Sequence, residues 1–176
     1  MKTNVAFIGF MGAGKTTVAR ALSKRLDRKF IELDTVIERE AGKPINEIFS
    51  QNGEIAFREF EIEATKNISS GRELIIACGG GIILNQINID RLSKGSVIVY
   101  LAVSSRTLLA RVEGTETIRP LLSMKDKKSR IRTLLRLRKP LYERSADITI
   151  NTTKLDVDSV VDELVNILTN YESYNI

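Results

Sequence analysis

The sequence predicts an α/β fold in three layers, a parallel β-sheet with helices on both faces. Five short apolar runs, Asn4 to Ile8, Lys29 to Leu33, Glu73 to Ala77, Ser96 to Ala102 and Asp147 to Ile150, are each followed by a longer helical pattern. Strands that alternate with helices in this way pair in parallel and need cover on both faces. The first run leads straight into a glycine-rich stretch, Gly9 to Thr17, and the third into Gly79 Gly80 Gly81. Glycines at the carboxyl ends of strands lie at the edge where open α/β sheets bind ligands.

Each element has its own pattern. Val5 Ala6 Phe7 Ile8 is the core of the first strand, and Val18, Ala19, Ala21, Leu22 and Leu26 mark a helix over Lys15 to Leu26. The second strand, Phe30 Ile31 Glu32 Leu33, is short. Three helices follow, near Asp34 to Ala41, Ile45 to Gln51 and Gly53 to Ser69. In the last of them Phe57, Phe60, Ala64 and Ile68 define a buried stripe with Glu61 on it and Arg58 on its shoulder. The third strand, Leu74 Ile75 Ile76 Ala77, runs into Cys78 and the glycines. After the fourth strand, Glu113 to Lys128 is the least patterned stretch, and a loop of this length inside a compact domain is the natural candidate for a mobile lid. In the next helix Ile131, Leu134, Leu135, Leu141 and Tyr142 share one stripe with Arg138 in its middle. The final helix, Asp156 to Asn170, carries Val157, Val160, Val161, Leu164 and Leu168 at helical spacing.

Composition narrows the chemistry. With 176 residues the chain is read as one domain, residues 1–176, able to bury a core without metal or disulfide staples. Cys78 is the single cysteine and histidine is absent, so neither an internal disulfide, nor a Cys/His zinc cluster, nor a histidine base is available. The apolar run at the N-terminus is too short for a signal segment, and no stretch approaches the ~20 apolar residues of a membrane span. A cytoplasmic protein without a membrane partner is the expectation. The net charge of +5 points to acidic partners. Much of the basic charge lies between Lys125 and Arg144, where Tyr142 is the lone aromatic, so these residues are read as a solvated helix face and not as a nucleic-acid footprint.

Gly9 to Thr17 reads G-F-M-G-A-G-K-T-T, the P-loop pattern G-x-x-x-x-G-K-[ST] between a strand and a helix. Gly12, Ala13 and Gly14 would turn backbone N–H groups into one concavity, and the following helix would present its positive end there. Lys15 would reach the β/γ-phosphates, with the Thr16 hydroxyl on Mg²⁺ and Thr17 beside it. The chain is therefore expected to bind a nucleoside triphosphate with magnesium. It has no N-K-x-D guanine reader, and its third strand does not end in a Walker-B aspartate.

Other residues suggest the acceptor. Asp34, after the second strand, faces the P-loop edge and would orient or deprotonate an attacking hydroxyl, or cap the helix it begins. Gly79, Gly80 and Gly81 would let backbone approach a ligand closely. Arg138, at the centre of an apolar stripe, must snorkel out, pair with a buried acid or line an anion-binding cleft. Arg58, braced by Glu61, is suited to a carboxylate.

Taken together, Gly12 to Thr16, Leu33 Asp34 Thr35, Phe57 Arg58 with Glu61, Cys78 to Gly81, Ile118 Arg119 Pro120 Leu121 Leu122, and Arg138 with Pro140 Leu141 Tyr142 closely resemble the shikimate kinase family in order and spacing over nearly the whole chain. The resemblance implies a P-loop kinase fold of nucleoside-monophosphate-kinase type with strand order 2-3-1-4-5. It implies transfer of the γ-phosphoryl of ATP to the 3-hydroxyl of shikimate, on the route to chorismate and the aromatic amino acids. Carried to matching positions, it makes Lys15, Asp34 and Arg119 the catalytic set. Arg58 and Arg138 would grip the shikimate carboxylate, and Gly79, Gly80 and Gly81 would contact the substrate through backbone. Thr16 would hold Mg²⁺, and Arg111 and Lys154 fall in regions that contact adenosine. A monomer is expected. The family commonly has Asp-x-Asp where this chain has Glu32 Leu33 Asp34, and the extra methylene of Glu32 would shift a water-mediated Mg²⁺ shell. A gluconate or nucleotide kinase fits two arginines, an aspartate and three glycines less well, and a non-catalytic nucleotide binder would not need Lys15, Asp34 and Arg119 together.

Overall fold

The structure is a computed structural model that describes residues 1–113, 127–171 and 174. Arg119 and most of the expected lid, residues 114–126, lie outside the described residues. The strands are β1 (Asn4–Ile8), β2 (Lys29–Glu32), β3 (Leu74–Ala77), β4 (Ser96–Ala102) and β5 (Ile148–Asn151). They pair in parallel in the order β2-β3-β1-β4-β5. Val5, Ala6, Phe7 and Ile8 are all fully buried, as a strand with neighbours on both sides and helices on both faces requires. At the β5 edge the pattern changes to alternation, with Ile148 and Ile150 buried and Thr149 and Asn151 exposed.

The helices are α1 (Lys15–Arg25), α2 (Leu33–Ala41), α3 (Ile45–Ser69), α4 (Gln86–Gly95), α5 (Ser105–Glu113), α6 (Lys127–Ser145) and α7 (Val157–Thr169), with a short 3₁₀ turn at Ile82–Leu84. The helix α1 packs on α7 and β3, while α3 packs on α2 and α4. The two helices expected at Ile45 to Gln51 and Gly53 to Ser69 are both present, running on as α3 but parted at Gly53, where φ is 79° and ψ 177°. That non-helical backbone ends the first and turns the chain into the second. A difference concerns Asp34, which does not cap α2. Glu32 holds the extended N-cap position, Leu33 opens the helix and Asp34 sits in its first turn, where a carboxylate complements the helix dipole.

Asn4 joins the sheet to the turn before β3. Its side chain is fully buried, donates to the Gly71 carbonyl at 2.8 Å and accepts from the Leu74 amide at 2.9 Å. Both backbone groups would otherwise lack a partner at the start of the β1–β3 ladder. Asn4→Ala is expected to lower unfolding free energy by about 2–4 kcal/mol, since each unpaired buried group costs ~1–3 kcal/mol. Urea denaturation measures it, and a loss below about 1 kcal/mol would mean that water replaces the amide without penalty.

Candidate active site

In an open parallel sheet the strand order reverses at one boundary, and a crevice opens there beyond the carboxyl ends. Here that boundary lies between β1 and β3. The Cys78 amide donates to the Phe7 carbonyl at 3.0 Å, so the loop after β3 leaves the sheet beside the loop after β1. A cleft of about 490 Å³ lies along this edge. Its walls are Gly12 to Val18, Glu32 and Asp34, Cys78 to Gly80, and Arg111 with Thr152 and Leu155 to Val157.

The phosphate side is built by α1 and the loop before it. Gly14 takes the left-handed conformation, φ 91°, at the N-cap of α1, a backbone that costs glycine little. No acidic residue occupies the first turn of α1, so nothing there offsets its positive end. Lys15 folds back over the loop and donates to the Gly9 and Phe10 carbonyls at 2.9 and 3.0 Å. Thr16 and Thr17 are exposed in the first turn, and Thr16 and Glu32 line the same cleft. Burial pushes the Glu32 carboxyl above its ordinary value, opposed by the Thr16 hydroxyl and reinforced by the negative charge of Asp34. A hydroxyl and a carboxylate beside the glycine-rich loop form a hard oxygen donor set, which suits Mg²⁺ with waters and phosphate oxygens completing its shell.

The opposite side is set by three glycines that pack against functional side chains. A Cβ on Gly79 would lie 2.9 Å from Asp34 Oδ1 and 3.4 Å from Glu61 Oε1, and one on Gly80 would lie 3.3 Å from the Met11 amide nitrogen. A Cβ on Gly81 would lie 2.5 Å from both terminal nitrogens of Arg58. At this turn the backbone thus approaches the phosphate loop, Asp34 and Arg58 closely. Arg58 is held by Glu61 at 2.9 Å and Glu54 at 3.1 Å, and lies over the Phe57 ring. Glu61 is 1% exposed, and burial pushes its carboxyl up while the Arg58 charge opposes the shift. Its Oε1 has no hydrogen-bond partner among the described residues.

Arg138 on α6 is 7% exposed, which rules out snorkelling to solvent. Its charge reaches Glu61, and one helical turn further on the fully buried Tyr142 donates its hydroxyl proton to the Gly80 carbonyl at 2.5 Å. Arg111 lies at the far end of the cleft, 3.3 Å from the Thr152 carbonyl and 3.5 Å from that of Gly12. Lys154 is exposed between two residues of the cleft wall. Sequence reasoning did not single out Thr152, Leu155, Val157 or Val160 as cleft residues, or the hydroxyl of Tyr142. The two valines carry the same helical spacing as the core of α7, so no separate pattern marks them. Cys78 lies on the floor, and burial pushes its thiol far up, so it stays protonated.

A basic, glycine-rich loop shares one crevice with Asp34, and the glycine turn on its far side packs against half-buried Arg58, with buried Arg138 on α6 within electrostatic reach of Glu61, an arrangement that suits moving a phosphoryl group to an anionic acceptor. Comparison with known proteins agrees. The shikimate kinase family model matches residues 11–169. The shikimate kinase of Thermodesulfovibrio yellowstonii is 41% identical over 162 residues, covering 92% of each chain. That of Moorella thermoacetica is 41% identical over 164 residues, covering 93% of each chain. Among solved structures, shikimate kinase from Acinetobacter baumannii in complex with shikimate superposes with a TM-score of 0.92 at 33% identity, over 98% of this chain and 96% of that one. Shikimate kinase from Aquifex aeolicus gives 0.81 at 29% identity, over 95% of this chain and 96% of that one. A sugar kinase from Janibacter sp. HTCC2649, at 16% identity and a TM-score of 0.65, shares the fold alone, over 96% of this chain and 95% of that one. A match that spans the phosphate loop, the three glycines and both arginines places the chain in the shikimate kinase family of ATP-dependent kinases.

Proposed function

We propose that the chain transfers the γ-phosphoryl group of ATP to the 3-hydroxyl of shikimate, giving shikimate 3-phosphate and ADP. The observation that carries this is the glycine turn, which packs directly against Asp34, Arg58 and the phosphate loop. Lys15 and the backbone amides of Gly12 to Thr17 bind the β- and γ-phosphates, and Arg111 borders the nucleotide end. Thr16 and Glu32 hold Mg²⁺, which when bound withdraws charge from the phosphate oxygens. Arg58 and Arg138 clamp the acceptor carboxylate, and the Gly79 to Gly81 backbone rests against the acceptor. Asp34 then accepts a hydrogen bond from the 3-hydroxyl, aligning its oxygen with the γ-phosphorus and receiving the proton as the new P–O bond forms and the bond from the γ-phosphorus to the β–γ bridging oxygen breaks, with ADP as the leaving group. Phosphoryl transfer asks mainly for alignment and charge stabilisation, which such a set supplies, with Arg119 assigned to the transferring group.

We place the whole chain, residues 1–176, in one kinase domain acting as a cytoplasmic monomer without nucleic-acid or membrane partners. Tyr142 is fully buried and unavailable to stack on bases, and no described helix is long and apolar enough to cross a membrane.

A coupled ADP-release assay with Mg²⁺ should show turnover with shikimate and none with gluconate or nucleoside monophosphates; the reverse preference refutes the acceptor. Asp34→Asn is expected to lower kcat by on the order of 10²–10⁴ while the ATP KM stays within about twofold. A collapse of ATP affinity would instead make Asp34 a structural residue. Glu32 must be ionised to serve Mg²⁺, and its carboxyl is raised above 4.5. Apparent Mg²⁺ affinity should therefore fall as pH drops through that raised value. Glu32→Gln should weaken Mg²⁺ on the order of tenfold at neutral pH and flatten the acid limb. An unchanged acid limb would remove Glu32 from the metal's surroundings.

A further inference from the structure

The strand order leaves β2 at one end of the sheet, so its outer row of N–H and C=O groups faces no other strand. Such an edge is a template for pairing with another chain. A groove of about 820 Å³ runs along it. Phe30 and Ile31 of β2 give the groove a partly buried apolar floor, with Val36 of α2 and Ile68 of α3 beside them.

Four cations surround that floor: Arg20 on α1, Lys29 on β2, Arg39 on α2 and Arg72 in the turn before β3. All four are exposed, and among the described residues none of their side chains has an ion pair or a hydrogen bond. The Arg20 guanidinium lies over the Phe30 ring, 4.5 Å from its centroid, which holds one positive charge beside the strand. Two carboxylates also line the groove: Glu32, which it shares with the catalytic cleft, and Glu40, which accepts a hydrogen bond from Asn67 at 3.2 Å. A surplus of positive charge therefore lies along an unpaired strand edge.

This charge decides what can occupy the edge. Two copies of the chain meeting along β2 would bring both sets of cations together, and like charges across a strand pair repel. A nucleic acid would find the cations but no stacking platform, because the one aromatic ring of the groove, Phe30, is covered by Arg20. An extended acidic peptide answers both features, with main-chain hydrogen bonds to the strand and carboxylates for the cations.

We propose that the open edge of β2 is a docking site for an extended acidic segment of another protein, which adds as a strand beside β2 and lays its carboxylates on Arg20, Lys29, Arg39 and Arg72. The strand is four residues long, so a short segment fills it. Arg39 and Arg72 take no part in the catalytic cleft, and the docking is separate from the phosphoryl chemistry.

The test titrates the whole chain with a fluorescein-labelled octapeptide of alternating threonine and glutamate. Its binding should shift the amide signals of Lys29 to Glu32 in ¹H–¹⁵N NMR spectra. A peptide with lysine in place of glutamate should bind on the order of tenfold more weakly. So should the acidic peptide N-methylated at its central residues, which keeps the charge and loses the strand's donors. Arg39→Glu and Arg72→Glu should each weaken the acidic peptide about fivefold and leave kcat with ATP and shikimate unchanged. No binding, equal binding of the lysine or N-methylated peptide, or shifts confined to α6 or the catalytic cleft would overturn the proposal. An oligonucleotide that displaces the peptide from the β2 amides would overturn the choice of occupant.

Discussion

The hydrogen bond from the Cys78 amide to the Phe7 carbonyl, at 3.0 Å, closes the β1–β3 ladder and determines where the cleft forms. Above it the two strands part into two loops, one the glycine-rich loop proposed to hold phosphate, the other the glycine turn. The register below pairs Val5 with Ile75, Ala6 with Ile76 and Phe7 with Ala77. Asn4 secures the opposite end of the same ladder through the Gly71 carbonyl and the Leu74 amide. A sheet pinned at both ends of one strand pair thus holds the phosphate loop and the acceptor turn at a constant separation.

Charge is distributed around that boundary with some imbalance. Arg58 has Glu54 and Glu61 as partners, but Glu61 is so deeply placed that one of its oxygens has no hydrogen bond among the described residues. Removing one member of such a buried pair costs far more than the pair itself contributes, because the other is left as an isolated charge. The same burial raises Glu61 and Glu32 together, while Asp34 lies within electrostatic reach of both. Acids crowded in this way favour a cation or a hydrogen-bond donor in the space between them, which suits a site proposed to receive Mg²⁺ on one side and a hydroxyl on the other.

What could be read from the sequence follows how local each feature is. The phosphate loop is a contiguous strand, loop and helix, so its residue types announced it, and helix phase alone put Arg138 on a buried face. The break expected before Gly53 is present as a kink. Features that depend on elements meeting across the fold were harder to see. Tyr142 reads as one more core residue on its stripe until β4 and the Gly80 turn are placed around it. Thr152 and Leu155 join the cleft only because β5 pairs with β4, which brings the following loop beside Gly12. Asp34 was open to a capping role because sequence locates a helix start only to within a residue or two, and here Leu33 begins the helix.

The three consecutive glycines also bear on how freely this region can change over generations. Every coding change at Gly79 or Gly81 adds at least one carbon, which would fall 2.9 Å from the Asp34 carboxylate or 2.5 Å from the Arg58 guanidinium. Those side chains are themselves confined, Arg58 between two glutamates and Asp34 in the first turn of α2. An inhibitor that rested on the peptide groups of this turn, and not on its neighbouring side chains, would face a surface where resistance by substitution carries an immediate loss of the enzyme's own geometry.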